Sequence, residues 1–152
     1  MAYTTADARQ QLLDSLATAV TELGSALGAL GEGYEQLDEQ SAERLESELF
    51  RPVQTAYARA QRTYLEFAGR HELPSRTFSP ASRGAPSTGA KGFIDSAVES
   101  VGAADSALAT LQDSMLPVEV GDAELRSDLR EIRERLSGLG GRARELVRTL
   151  GR

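Results

Sequence analysis

From Leu125 to Leu150 the apolar residues Leu125, Leu129, Ile132, Leu136, Leu139, Ala143, Leu146 and Leu150 recur at alternating spacings of four and three. That period is the mark of a helix with one apolar seam. A seam so narrow leaves a lone helix little net stability once chain entropy is counted, so it demands partner rods. The chain supplies them. Leu13, Leu16, Val20, Leu23, Leu27, Leu30, Tyr34 and Leu37 keep the same heptad spacing, as do Ile94, Ala97, Val101, Ala104, Leu108, Leu111 and Met115. Between them Ala42, Leu45, Leu49, Val53, Ala56, Ala60, Tyr64 and Phe67 follow an eleven-residue pattern, which implies a nearly straight rod.

These stripes predict an all-α fold, an antiparallel four-helix bundle in a single domain spanning 1–152. The expected helices cover about 5–31, 34–70, 92–115 and 122–150, with a loop over 71–91. Elongated helical hairpins that complete a bundle by dimerising are the alternative. Thr4 or Thr5 can cap the first helix and Asp122 the fourth. Four glycines between 24 and 33 place a break near Gly31 to Gly33, since each costs about 1 kcal/mol in a helix relative to Ala; a continuous helix is the alternative, because the seam keeps its register through Gly31 and Gly33. A stripe of Ala17, Gly24, Gly28 and Gly31 beside the first seam leaves room for a neighbouring helix to approach. Pro52 predicts a kink near Leu49 to Pro52, Pro117 and Gly121 an end to the third helix, and Gly138, Gly140 and Gly141 a bend in the fourth. Composition agrees with rods rather than sheets: four Phe, four Tyr and no Trp leave the core to Leu, Val and Ala.

No apolar run follows a basic start at MAYTTADARQ, so no secretory signal is expected, and Glu22 interrupts the least charged stretch, which excludes a membrane span. With no Cys, a reducing compartment fits, and a cytoplasmic place is expected; secretion without a cleavable signal is the alternative. The net charge of −6 argues against a general nucleic-acid binder, yet it is unevenly spread. Residues 1–50 hold ten acids against Arg9 and Arg44, and the remaining residues hold thirteen acids against fifteen bases. An acidic end meeting a basic end would suit a two-fold pair. The seven carboxylates between Glu32 and Glu48 are expected as a solvated helix face.

Catalytic parts are scarce. The one histidine, His71, has Ala68 three residues before it, so the Glu-x-x-His pair of a di-metal bundle is missing. A solvated histidine at a helix end is expected, with Glu66 and Glu72 only loosely placed for a surface metal. Gly84 to Gly92 reads GAPSTGAKG, near a phosphate-binding loop, but Ala90 displaces the lysine and Gly92 stands where the hydroxyl belongs. The Ser and Thr residues have no His or Cys partner to activate them. No cofactor is expected.

Two basic groups remain as possible anion or partner contacts: Arg76, Arg83 and Lys91 in the loop, and Arg142, Arg144 and Arg148 near the C-terminal end. Tyr34-Glu-Gln-Leu-Asp38 resembles the Y-x-x-x-[DE] pattern of substrates of a bacterial type VII secretion system, and like theirs it lies beside a helix pair. The resemblance implies export; the companion Trp-x-Gly turn is absent. The leading expectation is a non-enzymatic interaction or scaffold protein that presents helix faces to a protein partner or to a second copy. An anion- or small-molecule-binding bundle using the basic loop is the second.

Overall fold

The computed structural model describes residues 5–82 and 89–150. It contains α1 (Thr5–Tyr34), α2 (Glu39–Leu45), a π-helical turn (Glu46–Phe50), α3 (Arg51–Arg70), α4 (Gly89–Asp113), α5 (Leu116–Val120), α6 (Ala123–Leu136) and α7 (Leu139–Leu150). No strand occurs among the described residues, and none of their helices is long and apolar enough to cross a membrane.

Four rods form an all-α bundle: α1, the run from α2 through α3, α4, and α6 with α7. Cross-links between them give the directions. Arg70 and Arg59 of α3 meet Asp122 and Asp128 of α6 in that order, and Arg44 and Glu48 meet Thr149 and Arg142, so these rods run antiparallel. Gly33, near the end of α1, lies against Phe93 and Ile94 at the start of α4, which sets that pair antiparallel as well. The four expected seams fill one core, with Leu12, Leu23, Leu45, Phe67, Ile94, Leu108, Leu129 and Leu146 fully buried within a single chain.

The break after the first helix falls at 35–38 rather than at Gly31 to Gly33. Gly33 is buried where Phe93 approaches, 3.3 Å from where a Cβ would stand, so this glycine serves close packing and not a turn. What ends the connection is Asp38, whose carboxylate accepts from the Ser41 N–H at 2.7 Å and starts α2. Tyr34 therefore leaves the seam and stands 40% exposed, as does Met115 at 61%.

Where the sequence places a kink, just before Pro52, stands the π turn. Pro52 has no N–H for the Glu48 carbonyl four residues back, and the ladder widens just before it. Arg142 of α7 donates to that carbonyl at 3.4 Å.

The third helix begins at Gly89, so Lys91 lies in its first turn and not in a loop, and Pro117 does not end the helical chain but opens the short α5. Gly121, with φ 75°, closes α5. The fourth helix is not continuous over 122–150. It divides at Ser137, which is extended, and Gly138, which has φ 83°.

The small-residue stripe on α1 receives both a helix and an irregular segment: Tyr57 of α3 comes within 3.3 Å of where a Cβ on Gly24 would stand, and the backbone of 79–82 packs on Gly24 and Gly28. A Cβ on Gly28 would stand 2.2 Å from the Ser82 nitrogen, and the Ala81 N–H donates to the Gly24 carbonyl at 3.3 Å. The segment is fastened by Phe78, edge-on to Tyr64 at 4.9 Å, and by the Arg76 N–H, which donates to the Tyr64 hydroxyl at 3.2 Å. Leu23 to Leu27 are consequently buried all round the helix.

His71 is not solvated. It caps the C-terminus of α3 with its side chain 13% exposed and its Nε2 2.8 Å from Asp122 Oδ2. Asp122 also takes both Arg70 nitrogens at 2.9–3.1 Å and the Leu125 N–H at 2.8 Å, so one buried carboxylate ties the end of α3 to the start of α6. It does not pair with Arg126 as the i,i+4 spacing allows, because its oxygens face inward.

Candidate functional site

Two backbone irregularities border the same space. The π turn directs Leu49, followed by Val53, toward the bundle interior, and the break at Ser137 and Gly138 separates Leu136 from Leu139. Between these and α4 lies a cleft of about 510 Å³. Its floor is Leu30, Leu49, Val53, Ala97, Leu136 and Leu139, all core residues, and one wall is Val98, Val101 and Gly102 of α4. These wall residues fall on one helix face by their spacing of three and four. Gly102 keeps the mouth open: a Cβ there would meet nothing within 4 Å.

The rim is polar and ordered. Arg133 donates to Asp105 at 2.8 and 3.3 Å and to the Gln112 side-chain carbonyl at 2.7 Å, bridging α6 and α4 across one end of the opening. The hydrogen bond to Asp105, reinforced by the charges of Asp105 and Asp113, raises the arginine pKa further against a smaller effect of burial. This bridge uses three of the five Arg133 N–H donors. Arg130 and Glu134 complete the rim with opposite charges, so the mouth as a whole has no strong sign. An apolar cavity of this size with a few polar groups at its edge has the form of a binding pocket.

Of the six basic residues expected as contacts, the five that are described do not converge. Arg76 is committed to the loop, donating to Thr21 Oγ1 at 3.2 Å and lying 4.5 Å above the Phe78 ring. Lys91 is exposed on the first turn of α4, and Arg83 lies outside the described residues. Arg142 reaches the Glu48 carbonyl, Arg148 pairs with Glu145 at 3.2 Å, and Arg144 is exposed on α7. The loop arginine and the α7 arginines thus serve different elements and form no common anion site. Part of the phosphate-loop-like stretch, 84–88, also lies outside the described residues. Among the described residues no group of His, Asp and Glu side chains is placed to hold a metal ion.

Sequence reasoning missed Asp105, Gln112, Arg130 and Arg133. The available signal was Gly102, a glycine without a turn in the middle of a regular heptad, set one residue from the seam position Val101. No family model matches the chain, and no curated protein or solved structure is significantly similar to it.

Proposed function

We propose that the protein is a non-enzymatic interaction module whose partner inserts an apolar group into the cleft between α4 and the α6–α7 junction. The observation that carries this reading is the cleft itself, an apolar floor of core residues beneath the half-buried Val98 and Val101 and the exposed Gly102, beside a fixed Asp105–Arg133 bridge. Seating one leucine or phenylalanine side chain there gives about 1.5–3 kcal/mol from removal of apolar surface from water. That suffices for a reversible anchor, with the rim charges setting orientation. The same geometry supports a small apolar molecule as occupant, and moves the ligand-binding reading from the basic loop to this cleft.

Titration with the fluorescent apolar probe anilinonaphthalene sulfonate tests the reading. Saturable binding at one site is expected in the native protein. Gly102→Leu, which fills the mouth from an open helix position, is expected to weaken it at least tenfold while raising the melting temperature. Equal binding by both proteins removes the proposal.

Export is the second reading, favoured by the exposure of Tyr34 on the last turn of α1. Asp38 of the same motif already has work as the α2 cap. Tyr34→Ala leaves the bundle intact and tests whether the protein still leaves the cell.

A further inference from the structure

We propose that the groove between α3 and α6–α7 receives the acidic α1–α2 corner of a second copy of this chain, in a reciprocal dimer. Two depressions, about 330 and 420 Å³, share Thr55 and Arg135 and so form one continuous groove, which borders the apolar cleft only at Glu134 and Ser137. Its walls carry Arg51, Arg59 and Arg62 from α3 and Arg135 and Arg142 from α6 and α7. From Arg51 to Arg62 the α3 wall is about 16 Å long at 1.5 Å per residue, the length of an extended contact and not of a single small anion.

The internal ion pairs do not consume this charge. Arg59 is held by Asp128 and Glu131 at 3.1 and 2.7 Å, and Arg135 shares Glu131 at 3.1 Å. Arg51 has only Glu46 at 4.0 Å, with both side chains well exposed. Arg62, exposed, has no ion pair among the described residues, and Arg142 touches a backbone carbonyl. Against these three stands one groove carboxylate, Glu134.

The complement is on the same molecule. Glu32, Glu35, Asp38, Glu39 and Glu43 are all exposed around the turn between α1 and α2, and among the described residues none of the five makes an ion pair. A chain of net charge −6 repels its own copies at large, so association has to come from opposed patches at close range, where salt screens least. In a two-fold pair each corner meets the partner's groove, and the contact is made twice. The inference stands apart from the apolar cleft, and neither needs the other.

Sedimentation over a micromolar to millimolar range at low and high salt tests it, using the native chain and two charge-reversed forms. One carries Arg51→Glu with Arg62→Glu, the other Glu35→Arg, Glu39→Arg and Glu43→Arg; Asp38 is left to cap α2, and every changed side chain is exposed. The native chain is expected to form a dimer whose dissociation constant rises at least tenfold in half-molar salt. Each reversed form alone is expected to be monomeric with unchanged helical content, because both of its contacts become repulsive. Mixed, the two are expected to form a one-to-one dimer, since both contacts are attractive again. A native chain that stays monomeric, a salt-insensitive dimer, a species heavier than the dimer, or a mixture that fails to associate overturns the proposal. So does a native monomer that binds poly-glutamate in this groove, which would give the surface to a foreign acidic partner.

Discussion

Replacing Asp122 separates two jobs that its carboxylate performs at once. Its Oδ1 accepts the Leu125 N–H and caps α6, while both oxygens accept from Arg70 and Oδ2 lies against His71. Asp122→Ala removes all of these. The lost cap costs about 1 kcal/mol, and leaving Arg70 and His71 short of an acceptor costs about 2 kcal/mol more. The second figure is held down because Arg70 keeps Glu124 at 2.8 Å and is 29% exposed. A loss of about 3 kcal/mol in a chain of this size lowers the melting temperature by roughly 6–12 °C. Asp122→Asn keeps an acceptor for the cap and loses the charge, so it is expected to cost about 2 kcal/mol.

The pH dependence separates this account from simple loss of packing. Burial alone pushes the Asp122 pKa up, but the bonds from His71, Leu125 and Arg70, together with the Arg70 charge, outweigh it and hold the carboxyl below its usual value. A carboxyl that binds its proton less readily when folded adds stability above its unfolded pKa of about 4, and that stability is lost as pH falls through the folded value. Urea unfolding followed by far-ultraviolet circular dichroism is therefore expected to show the gap between native protein and Asp122→Asn widest at neutral pH. The gap closes as pH drops below about 4. A gap below about 0.5 kcal/mol at pH 7, or one that persists unchanged in acid, refutes the charge-assisted tie between α3 and α6.

Two glycine substitutions on α1 are expected to move stability in opposite directions. Gly28→Ala forces its Cβ onto the Ser82 and Ala81 backbone and should speed proteolysis within 73–82 while lowering the melting temperature. Gly31→Ala meets nothing within 4 Å and should stabilise by about 0.5–1 kcal/mol; equal effects at the two sites would dissolve the case for a docked segment. Gly138→Ala, at φ 83°, should cost about 1–2 kcal/mol in chemical denaturation, and no cost would mean that α6 and α7 can join as one helix.

The rods were legible because a seam is a one-dimensional record of burial. Leu45, Leu49, Val53, Ala56, Ala60, Tyr64 and Phe67 are all buried, and their order in the chain already states which side faces inward. Interruptions were harder to place, since the same residue type serves different ends. Gly31 and Gly33 read as a break but stay helical, whereas Gly138 does divide a helix, and only tertiary context distinguishes them. The Gly24 and Gly28 surface was correctly read as a place of close approach. Tyr57 of α3 does approach Gly24, but the rest of the surface was not legible, because a backbone segment with Phe78 and Arg76 anchors covers Gly28 as well as a helix would.

The cleft follows from the bundle's own geometry rather than from any motif. α4 lies along α1 far more extensively than along α6 or α7, and the residues it buries include the small Gly92, Ser100 and Ala104. A rod drawn close on one side by small side chains has to be met by longer ones on the other, or a gap remains. On that other side α4 offers Val98, Val101 and Gly102, and the opposite rod is interrupted at Ser137. Neither wall fills the space. Packing alone would favour closing it with a larger residue at 102, where the helix is unobstructed and glycine costs about 1 kcal/mol. That an open mouth coincides with an available, stabilising substitution is the physical reason for reading the gap as a site and not as imperfect packing. It is also why Gly102→Leu is the informative change: a more stable protein that no longer takes an apolar ligand separates the two explanations.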